Sequence, residues 1–187
     1  MPLWMWILIA VVAVAIVAIV VGVSTSRQKK SEQLKERFGP EYDRTVSEAG
    51  DEKAAEKVLV ERQRERDKLD IRPLAPESLD GYVNRWRAVQ TAFVDHPASA
   101  VGEADILVTE VMRERGYPVD DFDRQAADIS VDHPMVVENY RAAHDINLLQ
   151  QHGDVGTEQQ RQAFVHYRAL FAKLLDTEKD KSQEASA

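Results

Sequence analysis

LWMWILIAVVAVAIVAIVVGV, residues 3–23, is one unbroken apolar run, and the first charged side chain of the chain is Arg27. A helix rises about 1.5 Å per residue, so a helix of this length would match the roughly 30 Å hydrocarbon thickness of a bilayer. Trp4 and Trp6 would lie in the interfacial belt, where indole rings meet both lipid and water. Residues 1–26 are therefore predicted to form a transmembrane anchor.

A secretory signal peptide is the alternative interpretation of this run. A signal has basic residues before a shorter apolar core, and small residues at its cleavage site. Here only Met1 and Pro2 precede the run, although Ser24, Thr25 and Ser26 would suit cleavage. The length of the run and the lack of a basic residue before it favour the anchor.

A basic collar, defined here as residues 27–37, follows the run directly. Its cationic side chains are expected to contact lipid headgroups: Arg27, Lys29, Lys30, Lys35 and Arg37. Each Lys or Arg near an anionic surface contributes about 1 kcal/mol, and flanks rich in these residues stay on the cytoplasmic side. We therefore expect a single-pass membrane protein with its N-terminus outside and its C-terminal domain in the cytoplasm.

Beyond the basic collar the chain is acidic. The collar carries five basic and two acidic side chains, whereas the rest of the chain carries 19 and 30. Nucleic-acid binding needs a concentrated basic face, so we expect no nucleic-acid partner. Cysteine is absent from the sequence, which excludes disulfides, thiolate nucleophiles and cysteine-based metal sites. No cofactor motif is found, and no cofactor is expected.

Pro and Gly divide the polar part of the chain into helical segments, and no apolar alternation typical of strands is found. Residues 27–76 are predicted to form the basic juxtamembrane segment and charged linking helices. These helices are expected to break at Gly39 and Gly50, with Asp51 as an N-cap, and to end in a rigid connector over residues 71–76.

Residues 77–176 carry apolar stripes at helical spacing and predict the core of a helical bundle. Long helices are expected to begin near Ser78, Pro97, Pro134 and Thr157, with a shorter helix over residues 120–129. Short connections between helices favour antiparallel neighbours. The fold class is therefore all-α: one N-terminal transmembrane helix followed by a compact helical-bundle domain.

Two boundaries complete this organisation. Gly116 is expected to end its helix as a left-handed C-terminal cap. Residues 177–187 are polar, and we expect a disordered tail there.

Acidic, basic and histidine residues are dense between residues 115 and 134, which we call the candidate functional segment. Its members are Arg115, Tyr117, Asp121, Asp123, Arg124, Asp128, Asp132 and His133. Converging carboxylates can hold Mg²⁺ or Ca²⁺, but Asp121-x-Asp123 lacks the third oxygen ligand and the glycine of a calcium loop. The local interpretation is that these Asp residues cap helices, and that a His before Pro turns the chain between helices. The sequence favours the local interpretation and predicts no metal.

The tetrapeptide VDHP occurs twice, at residues 94–97 and 131–134, and is interpreted as a reused helix junction. Three other histidines are weaker candidates for ligands: His96, His144 and His166. An antiparallel pairing of the last two helices would place His144 near His166, where two imidazoles could bind a metal or move protons. The alternative is that each histidine is buried or interfacial and hydrogen-bonds a neighbour.

Five strings resemble a group of uncharacterised bacterial proteins with one N-terminal hydrophobic helix and a helical domain: RFGPEYDR (37–44), IRPLAPES (71–78), RGYPVDDFDRQAADISVDHP (115–134), NYRAAH (139–144) and HYRALF (166–171). The resemblance covers most of residues 31–176. It implies a bacterial inner or plasma membrane as the host, and it implies no activity or ligand.

Two classes of function remain open. The first is a membrane-tethered interaction or scaffold domain, since a tether raises the effective concentration of a partner and needs no active site. The second is a membrane-anchored, metal-dependent enzyme that uses the candidate functional segment. The sequence gives no positive support to catalysis. The expected partners are the bilayer and a protein, and self-association through the small pair Ala18 and Gly22 is a further possibility.

Overall fold

The computed structural model describes residues 28–153 and 155–184, with side chains as far as Leu175. The described residues form eight helices and no strand. The helices are α1 (28–38), α2 (Pro40–Ala49), α3 (Glu52–Arg66), α4 (Pro76–Ala92), α5 (Pro97–Arg115), α6 (Phe122–Asp132), α7 (Val137–Gln151) and α8 (Thr157–Glu184). The all-α prediction for the polar part is confirmed.

The predicted anchor over residues 1–26 lies outside the described residues. Within the described ranges, no helix combines the length and the apolar character that crossing a bilayer requires.

Glycine and aspartate residues set the helix boundaries where the sequence predicts them. Gly39, Gly50 and Gly116 separate consecutive helices and have positive φ angles of 48°, 81° and 100°. Glycine occupies this left-handed region without the steric cost that a Cβ atom brings. The Asp51 carboxylate accepts a hydrogen bond from the Ala54 N–H at 2.9 Å, which confirms it as the N-cap of α3.

Two helix starts differ from the prediction. The helix expected at Ser78 begins at Pro76, because proline suits the first turn of a helix, where its missing N–H is not needed. The helix expected at Pro134 begins at Val137, because the His133 carbonyl accepts the Val136 and Val137 N–H groups in an intervening turn. Thr157 is the first residue of α8.

The end of α8 also differs from the expected boundary. A polar tail is expected over residues 177–187, yet α8 continues to Glu184. Glu, Lys and Gln are frequent in that segment and favour helix, so they can extend a helix that its packed part has already nucleated.

The main hydrophobic core lies between α4, α5, α7 and α8, with contributions from α6. Five apolar residues of α5, at helical spacing, are fully buried: Val101, Ala104, Val108, Val111 and Met112. Trp86 of α4 stacks on Phe164 and Phe171 of α8, with ring centroids 5.3 and 4.5 Å apart. Helix α8 packs against both α5 and α7, and the Tyr140 and Tyr167 rings meet edge to face.

A second, smaller core is formed by α1, α2 and α3. Leu34, Phe38, Tyr42 and Leu59 pack together, and Val131 of α6 completes the cluster. Helices α2 and α3 pack against each other, and α3 also packs against α6. The linking helices therefore form part of the folded domain, and α6 lies between the two cores.

Candidate functional site

Asp132, the third-last position of the candidate functional segment, is the centre of a polar junction between three parts of the chain. Its carboxylate accepts a hydrogen bond from Arg66 Nε at 2.8 Å and another from the Tyr117 hydroxyl. The side chains of Arg66 and Asp132 are 22% and 18% exposed, so water screens this pair only in part. The junction fastens the end of α3 and the loop after α5 to the end of α6.

The protonation states at this junction support its hydrogen bonds. Burial raises the pKa of Tyr117, and the neighbouring Asp132 carboxylate raises it further. The phenol therefore stays protonated, and its O–H donates a hydrogen bond to Asp132. For Arg66, burial lowers the pKa, but the hydrogen bond and the charge of Asp132 raise it more, and the net shift is upward. The junction is thus a fixed ion pair with a phenol donor at neutral pH.

Arg115 is a buried arginine at the end of α5, and only 3% of it is exposed. Its Nη1 donates to the Leu174 carbonyl of α8 at 2.6 Å, and its guanidinium lies 6.0 Å from the centre of the Tyr117 ring. Its own carbonyl accepts the Arg72 N–H at 2.8 Å. Arg115 therefore joins α8 to the connector before α4 and to the loop after α5.

His133 and His96 occupy the same place in the two VDHP junctions and share one backbone conformation. The φ and ψ angles are −136° and 57° at His133, and −135° and 64° at His96. The following proline disfavours the α region at both residues. Their surroundings are opposite, because His133 is 4% exposed whereas His96 is exposed.

Burial leaves the His133 ring without a polar contact. Neither Nδ1 nor Nε2 has a hydrogen-bond partner. Burial lowers its pKa to about 4; Arg115, Lys173 and Arg66 lower the pKa as well, while Asp132 opposes them. The imidazole is therefore neutral at physiological pH.

The aspartates of α6 have three different surroundings. Asp121 accepts the Arg124 N–H at 2.8 Å and caps the helix, as the local interpretation predicts. Asp123 is exposed, and so is Arg124. Asp128 is 4% exposed, its Oδ2 atom has no hydrogen-bond partner, and burial raises its pKa. In the described part of the chain, no group of three or more His, Asp or Glu side chains is arranged to hold a metal ion.

The remaining histidines of the sequence analysis lie on α7 and α8. His144 stacks on Phe122 of α6, with ring centroids 3.6 Å apart and planes within 8°. Its Nδ1 atom is buried without a partner. His166 is half-buried on α8. The described contact of His144 is thus an aromatic one that fixes the start of α6 against α7.

The cationic side chains of the basic collar have two kinds of surroundings in the structure. Lys35 pairs with Glu52 at 3.3 Å and lies 5.1 Å from the centre of the Tyr42 ring, so it faces the domain. Lys29, Lys30 and Arg37 are exposed. Lys30 and Arg37 also line a groove of about 530 Å³ between α1 and α3. Arg27 lies outside the described residues.

A second buried ionic centre, which the sequence analysis missed, surrounds Glu41 of α2. Glu41 is 2% exposed. Its carboxylate accepts hydrogen bonds from both Nη atoms of Arg141 at 2.7 Å and from Nη1 of Arg62 at 2.6 Å. Burial raises the pKa of Glu41, but the two guanidinium groups lower it more, and the net shift is downward. A Glu in the first turn of a helix is common, so the sequence gives no indication that Glu41 pairs with Arg141, which is 100 residues away.

One open cleft adjoins the candidate functional segment. The α3–α6 groove, as we call it, has a volume of about 390 Å³ and is lined by Val58, Glu61, Arg62, Glu65, Arg124, Ala127 and Asp128. Asp128 and Arg124 are thus the members of the candidate functional segment that face an accessible cavity, whereas Arg115, Tyr117 and Asp132 join helices.

Comparison with known proteins assigns the chain to no family. No family model, no curated protein and no solved structure matches the chain.

Proposed function

We propose that this protein is a membrane-tethered helical interaction domain, or scaffold, that presents a rigid surface close to a bilayer. The observation that carries the proposal is that buried and partly buried polar groups connect different helices. Glu41, Arg115 and Asp132 each join helices that are distant in sequence. Hydrogen bonds and ion pairs between distant helices favour one defined arrangement of these helices, and a fixed arrangement is what a recognition surface requires.

The apolar run over residues 3–23 supplies the tether in this proposal. Tethering restricts the search for a partner to the membrane surface and raises its effective concentration, so modest contacts suffice. The exposed cations Lys29, Lys30 and Arg37 lie on the first described helix after the run, where they could meet anionic headgroups. The resemblance to bacterial membrane-anchored proteins supports an inner or plasma membrane, and the basic collar after the run supports a domain on the cytoplasmic side.

The proposal is tested by crosslinking in intact membranes. The full chain would carry a photoreactive amino acid at one exposed position per variant, on α3, α4, α6 and α7 in turn. Irradiation should yield a reproducible crosslinked product, either to one partner protein or to a second copy of the chain, from positions on one face of the domain. If every position gives only products that also form after detergent denaturation, the scaffold proposal is wrong.

Orientation is tested separately, with reporters fused after Ala187. A reporter active only in the cytoplasm should be active, and one active only outside should be silent. The opposite result would overturn the cytoplasmic assignment.

A further inference from the structure

We propose that the α3–α6 groove binds a lysine or arginine side chain of the partner protein, with the aliphatic stem in the groove and the cationic head at Asp128. This inference names the chemistry of the partner and rests on the proposed function.

The shape of the groove suits one long side chain. Its volume of about 390 Å³ lies near the lower end of the range for ligand sites, about 300–1,000 Å³. Val58 of α3 and Ala127 of α6 line its walls, and Val58 is 40% exposed, so the groove is open to solvent. An apolar stem that covers Val58 would remove apolar surface from water, which is favourable.

One carboxylate oxygen of Asp128, a residue that lines the groove, lacks a hydrogen-bond partner. Asp128 is 4% exposed, and its Oδ2 atom has no hydrogen-bond partner. Buried polar groups are nearly always hydrogen-bonded, and a buried carboxylate without a partner is costly. A cationic donor that enters the groove would satisfy Asp128, and the pKa of Asp128, which burial raises, would fall on binding.

The other charges of the lining favour a cation over an anion. Glu61 and Glu65 are 54% and 47% exposed. Glu61 pairs with Arg64 of the same helix and Glu65 with Lys68 in the turn after it, and such exposed pairs exchange at little cost. Arg62 is already engaged with Glu41 at 2.6 Å, so Arg124 is the cation of the lining that faces solvent. The lining thus carries three carboxylates and two guanidinium groups, one of which is already paired with Glu41.

Lysine and arginine combine the two required properties. Each carries an apolar stem of three or four methylene groups and a cationic head, and each commonly buries the stem while the head finds a polar partner. The chain beyond the basic collar carries 19 basic and 30 acidic side chains, so its field attracts a basic partner segment.

The test is a titration of the full chain in nanodiscs, followed by methyl NMR at Val58 and Ala127. The probes are three capped tripeptides, Ac-Ala-X-Ala-NH₂ with X as Lys, norleucine or Glu, and free butylammonium. The Lys tripeptide should shift both methyl signals saturably. Norleucine, which has the same stem without the charge, and Glu should not. Asp128→Asn should weaken binding of the Lys tripeptide by about tenfold or more, because the charge of the acceptor is lost.

Asp123→Asn is the matched control, since Asp123 is exposed on the same helix and lies outside the groove lining. It should bind the Lys tripeptide like the unmodified chain. Thermal unfolding of both variants verifies that each is folded. The comparison of Lys with norleucine in the unmodified chain needs no variant, so the test does not depend on the stability of Asp128→Asn.

Three results would overturn the inference: no saturable shift with the Lys tripeptide, equal binding of norleucine, or unchanged binding in Asp128→Asn. Binding of butylammonium without binding of the Lys tripeptide would also overturn it, because the ligand would then be a free amine. The titration uses no partner protein. Its failure would therefore remove the groove assignment alone, and the scaffold proposal would still be decided by crosslinking.

Discussion

At the scale of single residues, the two VDHP motifs separate what local sequence determines from what packing determines. His96 and His133 have nearly the same φ and ψ angles, because the proline that follows acts locally. One side chain is exposed and the other is 4% exposed. The helix boundaries around the two copies differ, since α5 begins at Pro97 and α7 at Val137, so only the break in the helix at the histidine could be predicted from the motif. The burial of His133 could not, because it depends on the neighbouring helices.

The buried His133 should make the stability of the domain depend on pH. Its pKa is about 4 in the folded state, against 6.5 for the ordinary group. The unfolded state therefore takes up a proton below about pH 6.5 and the folded state only below about pH 4, so stability falls as the pH falls through this window. The loss should total about 3 kcal/mol.

This dependence is measured by chemical denaturation of the full chain between pH 7.5 and pH 4. His133→Gln should remove the pH dependence of stability that this imidazole causes. His96→Gln, at the exposed copy of the motif, should retain that pH dependence. If the curves of unmodified chain and His133→Gln stay parallel between pH 6.5 and pH 4, the imidazole does not titrate as described.

The aspartates of the two motifs provide a second matched pair. Asp132→Asn should lower the free energy of unfolding by about 2 kcal/mol, because Arg66 and Tyr117 lose a charged acceptor in a partly buried site. Asp95→Asn, at the exposed copy, should change it by less than about 0.5 kcal/mol. Equal effects of the two substitutions in urea denaturation would contradict the role assigned to the Asp132 junction.

At the scale of elements, the helix boundaries could largely be predicted because their signals are local. Gly39, Gly50 and Gly116 have the positive φ angles that such breaks require, and Asp51 caps α3. The start of α4 was misplaced because Ser78 and Pro76 both suit the beginning of a helix, and the sequence alone does not rank them. Element positions thus follow from short-range chemistry, with errors of a few residues at the ends.

Two glycines with similar backbones should respond differently to substitution. A Cβ atom on Gly116 would lie 2.5 Å from the Asp70 carbonyl oxygen, whereas Gly50 has no neighbouring atom within 4 Å. Gly50→Ala should cost about 1 kcal/mol from its positive φ angle alone. Gly116→Ala should cost about 3 kcal/mol or more, since α5 and the connector must also move apart. Thermal melts of the two variants check this order, and equal costs would contradict the close approach at Gly116.

At the scale of the whole molecule, the two hydrophobic cores are joined by polar contacts between distant parts of the chain. Glu41 and Arg141 are 100 residues apart, and no local pattern connects them. The sequence analysis identified the apolar stripes of the main core from their spacing. It did not identify the second core or the Glu41 centre, because each depends on contacts between segments far apart in sequence. The same limitation applies to the α3–α6 groove, which exists only once α3 and α6 are packed.

Removal of the Glu41 charge should therefore weaken the whole domain. Glu41→Gln leaves Arg62 and Arg141 without their shared anion in a largely buried site, and should cost about 3 kcal/mol or more. Glu48→Gln, which breaks an exposed pair with Arg44 at 2.7 Å, should cost less than about 1 kcal/mol. Denaturation followed separately at both cores, by hydrogen exchange, should show that Glu41→Gln lowers protection in each. A loss confined to α2 would contradict its role as a link.

The central claim is that an N-terminal hydrophobic segment holds a rigid helical domain at a membrane. Alkaline carbonate extraction of membranes from the native host, followed by mass spectrometry of the intact chain, tests it most directly. The account predicts that the chain stays in the pellet with residues 1–26 present, and that it moves to the supernatant when Val12 and Ile16 are both replaced by Arg. An unmodified chain that is released by carbonate and lacks its first 26 residues would contradict the claim.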